Sequence, residues 1–439
     1  MVFYYWLVFM LPMANHWLWA HQFGPLNVIK SVGLVCFAIA VIHLAAKGSL
    51  PPLHRQPEVW CSLAFLFVEL LSYSLRDLAE LGFQGMAKIL AIFSLLIVTV
   101  ILVDTQDRWR RVFLVMIAGQ TISSLYAIRQ WLAFRGVYTQ FRSFGGLTDD
   151  ANYFAMAVVL WLPVTFMSIS AATSRFERLF CRACALAMLA GFLVVGSRGG
   201  LVGLACAALL IIWRSQQRAR NLILVMMLGF TLLAGSTVSR SSAVSRLLHP
   251  SPGDVQSAQA RVDLLRTGLG IVRSRPLLGV GYARWSAALY AGAHFHVAHN
   301  TYLDILGQLG LAGFVPFLGI LVFSYRRLGA LAKQAEDSAP ELQRAAIGFQ
   351  AGLAGYFVGA FFLSAWWQDV FWLLAFLSMR LPWLRPAAHK AWQPMVGPRL
   401  RRVSEPRLGP ASRGSLTRWH RHPKAGHLPV PSRTSRGIP

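Results

Sequence analysis

Long apolar runs separated by short polar segments fill the chain from residue 2 to residue 384. A membrane-spanning helix needs about 20 mostly apolar residues, and the runs predict about twelve such helices. The strict alternation of a transmembrane barrel strand is absent, so we expect an all-α, multi-pass membrane protein. To within several residues at each end, the predicted spans are 2–20, 28–46, 59–75, 86–103, 112–132, 151–170, 179–195, 201–213, 222–235, 302–325, 345–364 and 370–384.

The composition agrees with a membrane protein. Of all residues, 56% are hydrophobic and 13% are charged, whereas a soluble domain has about 25% charged residues. The first run lacks a charged leading segment and a small-residue cleavage site, so we interpret it as a retained span and not as a signal peptide. The five cysteines lie in or at the ends of apolar runs. This placement favours core packing over a disulfide framework, and also over a redox role for Cys181 and Cys184.

The distribution of lysine and arginine between successive short loops predicts the orientation in the membrane. Basic residues gather in alternate loops, and the positive-inside rule places those loops in the cytoplasm. Both termini are then cytoplasmic. The basic residues of the predicted cytoplasmic loops are Lys47, Arg55, Arg108, Arg110, Arg111, Arg175, Arg178, Arg182, Arg214, Arg218, Arg220, Arg326, Arg327, Lys333 and Arg344.

One predicted outer loop is long, at 236–298, and holds seven arginines against two aspartates. Start and stop signals at 251–254 and 276–279 predict a helix in its middle. The predicted apolar stripe of this helix consists of Val262, Leu265, Leu269 and Val272. Arg261 lies on the same stripe, and an arginine there is costly without an anionic partner. Two interpretations stay open: an anionic ligand, or a helix resting on anionic lipid headgroups.

The tail after residue 385 differs in composition from the membrane domain at 1–385. Residues 380–439 hold thirteen Lys or Arg and one acid, so they supply +12 of the net charge of +25. The segment 386–439 has no apolar periodicity, and we interpret it as a disordered cytoplasmic tail. Contact with anionic membrane lipid is compatible with its charge. We do not expect it to bind nucleic acid.

Several polar residues are predicted to share the outer face with Arg261. Arg198 opens one span and His299 precedes another. The planar fork of arginine binds phosphate oxygens in pairs, so Arg198 and Arg261 suit a pyrophosphate. His299 suits proton removal from a sugar hydroxyl, because a histidine pKa lies near the working pH. Alternatively, Arg198 extends to lipid headgroups and His299 makes only a helix-end hydrogen bond. Further candidate substrate-binding residues are Arg142, Asp150, Asn152, Arg275 and Asn300.

Common metal and nucleotide motifs do not occur in the chain. There is no Walker-type phosphate loop, no HExxH and no Cys/His cluster with zinc spacing. Asp149 and Asp150 form an adjacent acidic pair on the predicted outer face, which we interpret as helix-start residues, with a direct role as the alternative. We therefore expect metal-independent chemistry and no cofactor.

Four motifs follow one another between residues 141 and 325. They are Phe141-Arg142-Ser143-Phe144-Gly145 leading to Asp150-Ala151-Asn152, then Gly196-Ser197-Arg198-Gly199-Gly200, then Arg261 followed by Arg275-Pro276-Leu277-Leu278-Gly279-Val280-Gly281, and finally His299-Asn300-Thr301-Tyr302-Leu303 running into Gly307-Gln308-Leu309-Gly310-Leu311. In this order, the four motifs resemble the bacterial O-antigen ligase/polymerase family of integral-membrane glycan transferases. The resemblance covers roughly residues 141–325, and the earlier spans match only in hydropathy.

The resemblance implies an inverting glycan transferase of the bacterial inner membrane whose active site faces the periplasm. The implied donor is a glycan on undecaprenyl pyrophosphate. The acceptor is a lipid A-core sugar in the ligase branch, another lipid-linked repeat in the polymerase branch, or a protein in a third branch. The basic tail has no counterpart in the family pattern.

A polysaccharide flippase or transporter is the alternative of a different class. Such a protein places polar residues near the middle of the membrane, often within inverted repeats. Here the main polar residues inside predicted spans are Glu69 and Gln120. Because the other candidates gather at one face, the sequence favours the enzyme.

Overall fold

A computed structural model describes residues 1–14, 27–47, 55–134, 145, 150–215, 252–293 and 297–384. In this part of the chain the regular secondary structure is helical, and no strand longer than one residue occurs. The α-helices in chain order are α1 (Val2–Met10), α2 (Val28–Lys47), α3 (Pro57–Arg76), α4 (Leu78–Leu81), α5 (Phe83–Leu102), α6 (Gln106–Phe134), α7 (Ala151–Ala171), α8 (Arg175–Val195), α9 (Arg198–Arg214), α10 (Pro252–Ser274), α11 (Tyr282–Ala293), α12 (Thr301–Gln334), α13 (Pro340–Gly359) and α14 (Asp369–Arg380), with short 3-10 turns at Leu11–Met13 and Leu381–Trp383.

The predicted all-α class is confirmed for the described residues. Seven of the described helices are long and apolar enough to cross a membrane, namely α2, α3, α5, α6, α7, α8 and α12. The total of about twelve spans stays a prediction. The predicted span at 222–235 and the tail at 386–439 lie outside the described residues. The predicted span at 2–20 is described only in its first part, which contains α1 and the first 3-10 turn.

Glycines let the central helices α7, α9 and α13 approach one another closely. A Cβ atom on Gly203 of α9 would lie 2.7 Å from the carbonyl oxygen of Gly355 on α13, and one on Gly355 would lie 2.7 Å from that of Gly203. About one turn earlier on α13, a Cβ on Gly352 would lie 2.3 Å from the Leu160 oxygen of α7. Small residues at such crossings let membrane helices pack backbone to backbone. The starts of α7 and α9 are therefore held at defined positions.

The arginines predicted for one membrane face meet at one end of the bundle. Arg110 at the start of α6 pairs with Glu177 at the start of α8. Arg344 near the start of α13 donates a hydrogen bond to the carbonyl of Ser170, near the end of α7. A cavity of about 530 Å³ opens here, lined among others by Trp109, Arg110 and Glu177. The candidate site lies at the other ends of these helices. Which end faces the cytoplasm stays a prediction.

Helix α10 begins at Pro252 and ends at Ser274, as the start and stop signals predicted. The predicted apolar stripe is not the packed face of the helix, because Val262, Leu265 and Leu269 are 41–43% exposed. The packed face instead contains Leu264 and Gly268. A Cβ on Gly268 would lie 2.8 Å from Leu303 Cδ2 and 3.0 Å from the ring of Trp285, so the helix turns its glycine towards its neighbours. Hydrophobicity alone does not identify a glycine as a packing position.

Helix α12 is broken at Gly310, where φ is 64° and ψ is −161°. The turn after α10 fills this break. Its carbonyls at Pro276 and Leu277 accept hydrogen bonds from the backbone nitrogens of Leu311 and Ala312, at 2.8 and 3.0 Å. The backbone nitrogens of Val280 and Gly281 donate in turn to the carbonyls at 307 and 308, at 2.9 and 3.0 Å. Two of the sequence motifs, 275–281 and 307–311, thus bind each other.

Candidate functional site

The starts of α7 and α9 are joined by their capping residues. Asp150 caps α7, and its Oδ1 accepts from the backbone nitrogen of Asn152 at 2.6 Å. Ser197 caps α9 by accepting from the Gly200 nitrogen at 3.3 Å, and its hydroxyl donates to Asn152 Oδ1 at 2.9 Å. The predicted helix-start role of Asp150 is therefore confirmed. Asn152 links one helix start to the next, while Asp149 and Arg142 lie outside the described residues.

The start of α12 is tied to the same region through the turn that follows α13. The Thr301 nitrogen donates to the carbonyls of Ala360 and Leu363, at 2.9 and 3.0 Å. A Cβ on Gly199 of α9 would lie 2.7 Å from Phe362 Cβ in this turn. Three helix N-termini therefore lie around one end of the bundle. Because each N-terminus has a partial positive charge, this end favours anions.

Two half-buried arginines add full positive charge to this end. Arg198 is the first residue of α9. Arg261 lies on α10, three residues before the fully buried Leu264, and its charge acts on His299. Arg261 is therefore partly buried, although the packed face of α10 is not the predicted apolar stripe.

His299 lies directly before α12 in an unusual backbone conformation. Its φ of 52° is the one positive value of a non-glycine residue in the described ranges. Residues in this region cost about 1–3 kcal/mol and persist only where their surroundings hold them. Burial lowers the pKa of His299 below the usual 6.5, and the Arg261 charge lowers it further, while the Asp150 carboxylate acts in the opposite direction. The imidazole is therefore neutral at pH 7.

Hydrogen bonds on both sides hold the His299 backbone. Asn300 caps α12, and its Oδ1 accepts from the backbone nitrogens of Tyr302 and Leu303, both at 3.0 Å. Asp304, which is 2% exposed, accepts through Oδ1 from the Ala298 nitrogen at 3.2 Å and from Trp285 Nε1 at 2.8 Å. Asn300 therefore has a capping role, and its predicted substrate contact stays a prediction. Arg275 lies exposed in the turn after α10.

Sequence patterns did not identify Asp304, Trp285, Arg76 or Asp77. The sequence shows Asp304 as an acid in the first turn of an apolar helix. A carboxylate that is buried at such a position needs hydrogen-bond partners. Arg76 and Asp77 resembled an ordinary polar loop after a span. Their partners are far along the chain, at 278–283.

Metal ligands are not grouped in the part of the chain that the structure describes, since no set of three or more His, Cys, Asp or Glu side chains could hold an ion there. Metal independence itself stays a prediction.

The geometry can be compared with known proteins. Residues 183–318 match the family model described as O-Antigen ligase. No curated protein matches the chain. The matched segment contains Arg198, Arg261 and His299, together with the two motifs that pair across the break in α12. The match confirms, over this segment, the resemblance to the O-antigen ligase/polymerase family seen in the sequence.

Proposed function

We propose that the protein transfers a glycan from undecaprenyl pyrophosphate to an acceptor hydroxyl at the end of the bundle where α7, α9 and α12 begin. One observation supports this above the others. A neutral histidine is held in a strained backbone conformation, within electrostatic reach of both Arg261 and Asp150. A base beside a cationic anion site is the arrangement that this transfer needs.

Arg198 and Arg261 bind the pyrophosphate of the donor in this proposal. Each guanidinium can bind two phosphate oxygens, and the surrounding helix N-termini add their partial charges. These groups stabilise the negative charge that develops on the departing pyrophosphate. The undecaprenyl chain remains in the membrane beside the bundle. Neither a metal nor another cofactor is needed.

His299 acts as the general base. The acceptor oxygen forms a bond to the anomeric carbon while its proton passes to a ring nitrogen of His299. The bond between that carbon and the pyrophosphate oxygen breaks, and the pyrophosphate keeps the electron pair. Because attack comes from the face opposite the leaving group, the anomeric configuration inverts. The Asp150 carboxylate favours the imidazolium that forms. Arg142, Asp150, Asn152, Arg275 and Asn300 remain candidate substrate-binding residues.

The acceptor we propose is a lipid A-core sugar, which makes the protein an O-antigen ligase. A polymerase that acts on lipid-linked repeats and a protein O-glycan ligase use the same donor chemistry. Deletion of the gene followed by lipopolysaccharide electrophoresis separates them. Loss of a ligase leaves lipid A-core without O-antigen, loss of a polymerase leaves a single repeat, and loss of a protein ligase leaves the ladder intact. A flippase defect would instead trap the donor on the cytoplasmic face.

The site faces the periplasm of the inner membrane in this proposal, with both termini in the cytoplasm. The basis is the arginine bias of the short loops. Reporter fusions after Gly253 and within the tail test this orientation. A reporter at Gly253 that is active only in the cytoplasm would contradict both the orientation and the periplasmic site.

The donor site is tested with purified protein, a lipid-linked donor and an acceptor. Removal of one charged group that stabilises a transition state costs about 10²–10³-fold, and we expect such losses for Arg198→Ala and Arg261→Ala. The lysine variants should recover only part of the rate, because an ammonium lacks the planar fork. Arg273→Ala, which changes an exposed arginine of α10, is the matched control. Normal transfer by both alanine variants would contradict the assigned roles.

A further inference from the structure

The candidate site is divided between two packed regions. Leu264, Trp285, Leu289, Ala298 and Leu303 form a small hydrophobic core between α10, α11 and the start of α12, distinct from the large core of the bundle. We call these five residues the outer core. Arg261 and His299 belong to the elements around the outer core. Arg198 and Asp150 instead lie at the starts of the bundle helices α9 and α7.

Asp77 connects the bundle to α11. It follows the last residue of α3 and is 2% exposed. Its Oδ2 accepts from the Tyr282 nitrogen at 3.0 Å, and its Oδ1 accepts from the Ala283 nitrogen at 2.9 Å. These are the first backbone donors of α11, which the helix itself cannot satisfy. The position before Tyr282 is Gly281, which has no side chain that could cap the helix. Asp77 therefore supplies the cap from about 200 residues away in sequence.

Arg76 holds the segment that leads into α11. Its Nη1 donates to the carbonyl oxygens of Leu278 and Gly279, at 2.7 and 2.8 Å. A Cβ on Gly281, whose φ is +85°, would lie 3.0 Å from Asp77 Oδ1, so the backbone approaches the carboxylate closely. The two neighbouring residues at the end of α3 therefore fix both the turn before α11 and the first turn of α11.

We propose that Asp77, assisted by Arg76, is a positioning residue that sets the distance between the two halves of the site. The inference rests on the proposed transfer reaction, because only a donor held from both halves makes this distance matter. If α11 loses its anchor, Arg261 can shift with α10 and α11 relative to Arg198 and to His299, because the hydrogen bonds of Thr301 hold the start of α12 to the turn after α13. A displacement of about 1 Å can cost about 10²-fold in rate, even when it arises far from the reacting atoms.

The decisive variant is Asp77→Asn. Both carboxylate oxygens of Asp77 accept backbone N–H groups, and an asparagine offers one oxygen and one NH2 group. The NH2 group would face an N–H donor, so one bond is lost while the side-chain volume is kept. Asp77→Ala loses both bonds. Asp263→Asn removes a partly exposed acid on α10 and is the matched control for loss of charge.

Two measurements on the full chain in lipid test the proposal. Hydrogen exchange at Tyr282 and Ala283 should speed up at least about tenfold in Asp77→Asn, and more in Asp77→Ala, because a backbone donor loses its partner. Exchange in α7 and α13 should not change. In the transfer assay, the KM for the lipid-linked donor should rise about tenfold in Asp77→Asn. The Asp263→Asn control should match the wild type in both measurements.

The outcomes are separable from those of the proposed function. Unchanged exchange at Tyr282 and Ala283 would overturn the cap. Faster exchange with wild-type KM and kcat would overturn positioning, since a role in local stability alone gives that result. If His299→Ala transfers glycan at the wild-type rate, the proposed reaction fails, and the exchange measurement still decides whether Asp77 caps α11.

Discussion

Asp304 provides a sharp test of how the His299 segment is held. Its Oδ1 accepts both the Ala298 nitrogen and Trp285 Nε1, and both donors belong to buried residues. A buried donor without a partner costs about 1–3 kcal/mol, so Asp304→Ala should cost about 2–6 kcal/mol in total. This is a large share of the about 5–15 kcal/mol that stabilises a typical fold. The loss falls on the segment that holds the strained His299 backbone.

Asp304→Asn should behave very differently from Asp304→Ala. Both hydrogen bonds end on one oxygen, which the amide of asparagine still provides. We expect Asp304→Asn to keep transfer within about tenfold of the wild type, and Asp304→Ala to lose about 10²-fold in kcat because the base is misplaced. The assay combines thermal unfolding in lipid with transfer kinetics. Trp285→Phe, which removes only one of the two donors, should fall between the two variants.

Two results would refute this account of Asp304. An asparagine variant as inactive as the alanine variant would mean that the negative charge matters and not the hydrogen-bond geometry. An alanine variant with normal kcat would mean that the network does not position His299.

Three further outcomes are expected. Gly310→Ala should prevent the normal fold, because a Cβ there would lie 2.4 Å from the Leu277 carbonyl carbon and φ is +64°. The control Gly270→Ala, where a Cβ would have nothing within 4 Å, should stabilise α10 by up to about 1 kcal/mol. Equal melting temperatures of the two variants would contradict this expectation. Since burial and then Arg261 hold the pKa of His299 below 6.5, kcat/KM should stay constant through neutral pH and fall only as the pH drops below that pKa. A bound pyrophosphate offsets the Arg261 charge and therefore raises the pKa of His299. The pH below which kcat falls should then be higher than the pH below which kcat/KM falls. Equal pH values would contradict the contact between Arg261 and the pyrophosphate. Transfer should continue in EDTA, and activity that returns only with added magnesium or manganese would overturn metal independence.

The hydrophobic pattern predicted most of the described helices and their ends. Apolar runs of sufficient length can be satisfied in lipid only by helices, so α2, α3, α5, α6, α7, α8 and α12 followed directly from the sequence. Local capping chemistry was also visible. Asp150 begins α7, and the proline at 252 begins α10. These features depend on residues within one helical turn of each other, which a sequence shows.

Long-range contacts were not predictable from such patterns. The cap that Asp77 provides for α11 joins residues about 200 positions apart. The packed face of α10 depends on Gly268 lying against Trp285 and Leu303, and glycine has no hydrophobic signal. The break in α12 at Gly310 similarly requires a partner segment that only the folded chain supplies. The sequence could therefore suggest Arg198, Arg261 and His299, but not the groups that hold them.

The general-base role of His299 is the central claim, and His299→Gln is its test. Glutamine keeps a hydrogen-bonding side chain of similar length but cannot accept a proton at neutral pH. We expect purified His299→Gln and His299→Ala to bind the lipid-linked donor normally and to lose about 10²–10⁴-fold in turnover, the usual contribution of a general base. Substantial turnover by His299→Gln, with His299→Ala inactive, would show that the residue only positions a substrate and would contradict the proposed mechanism.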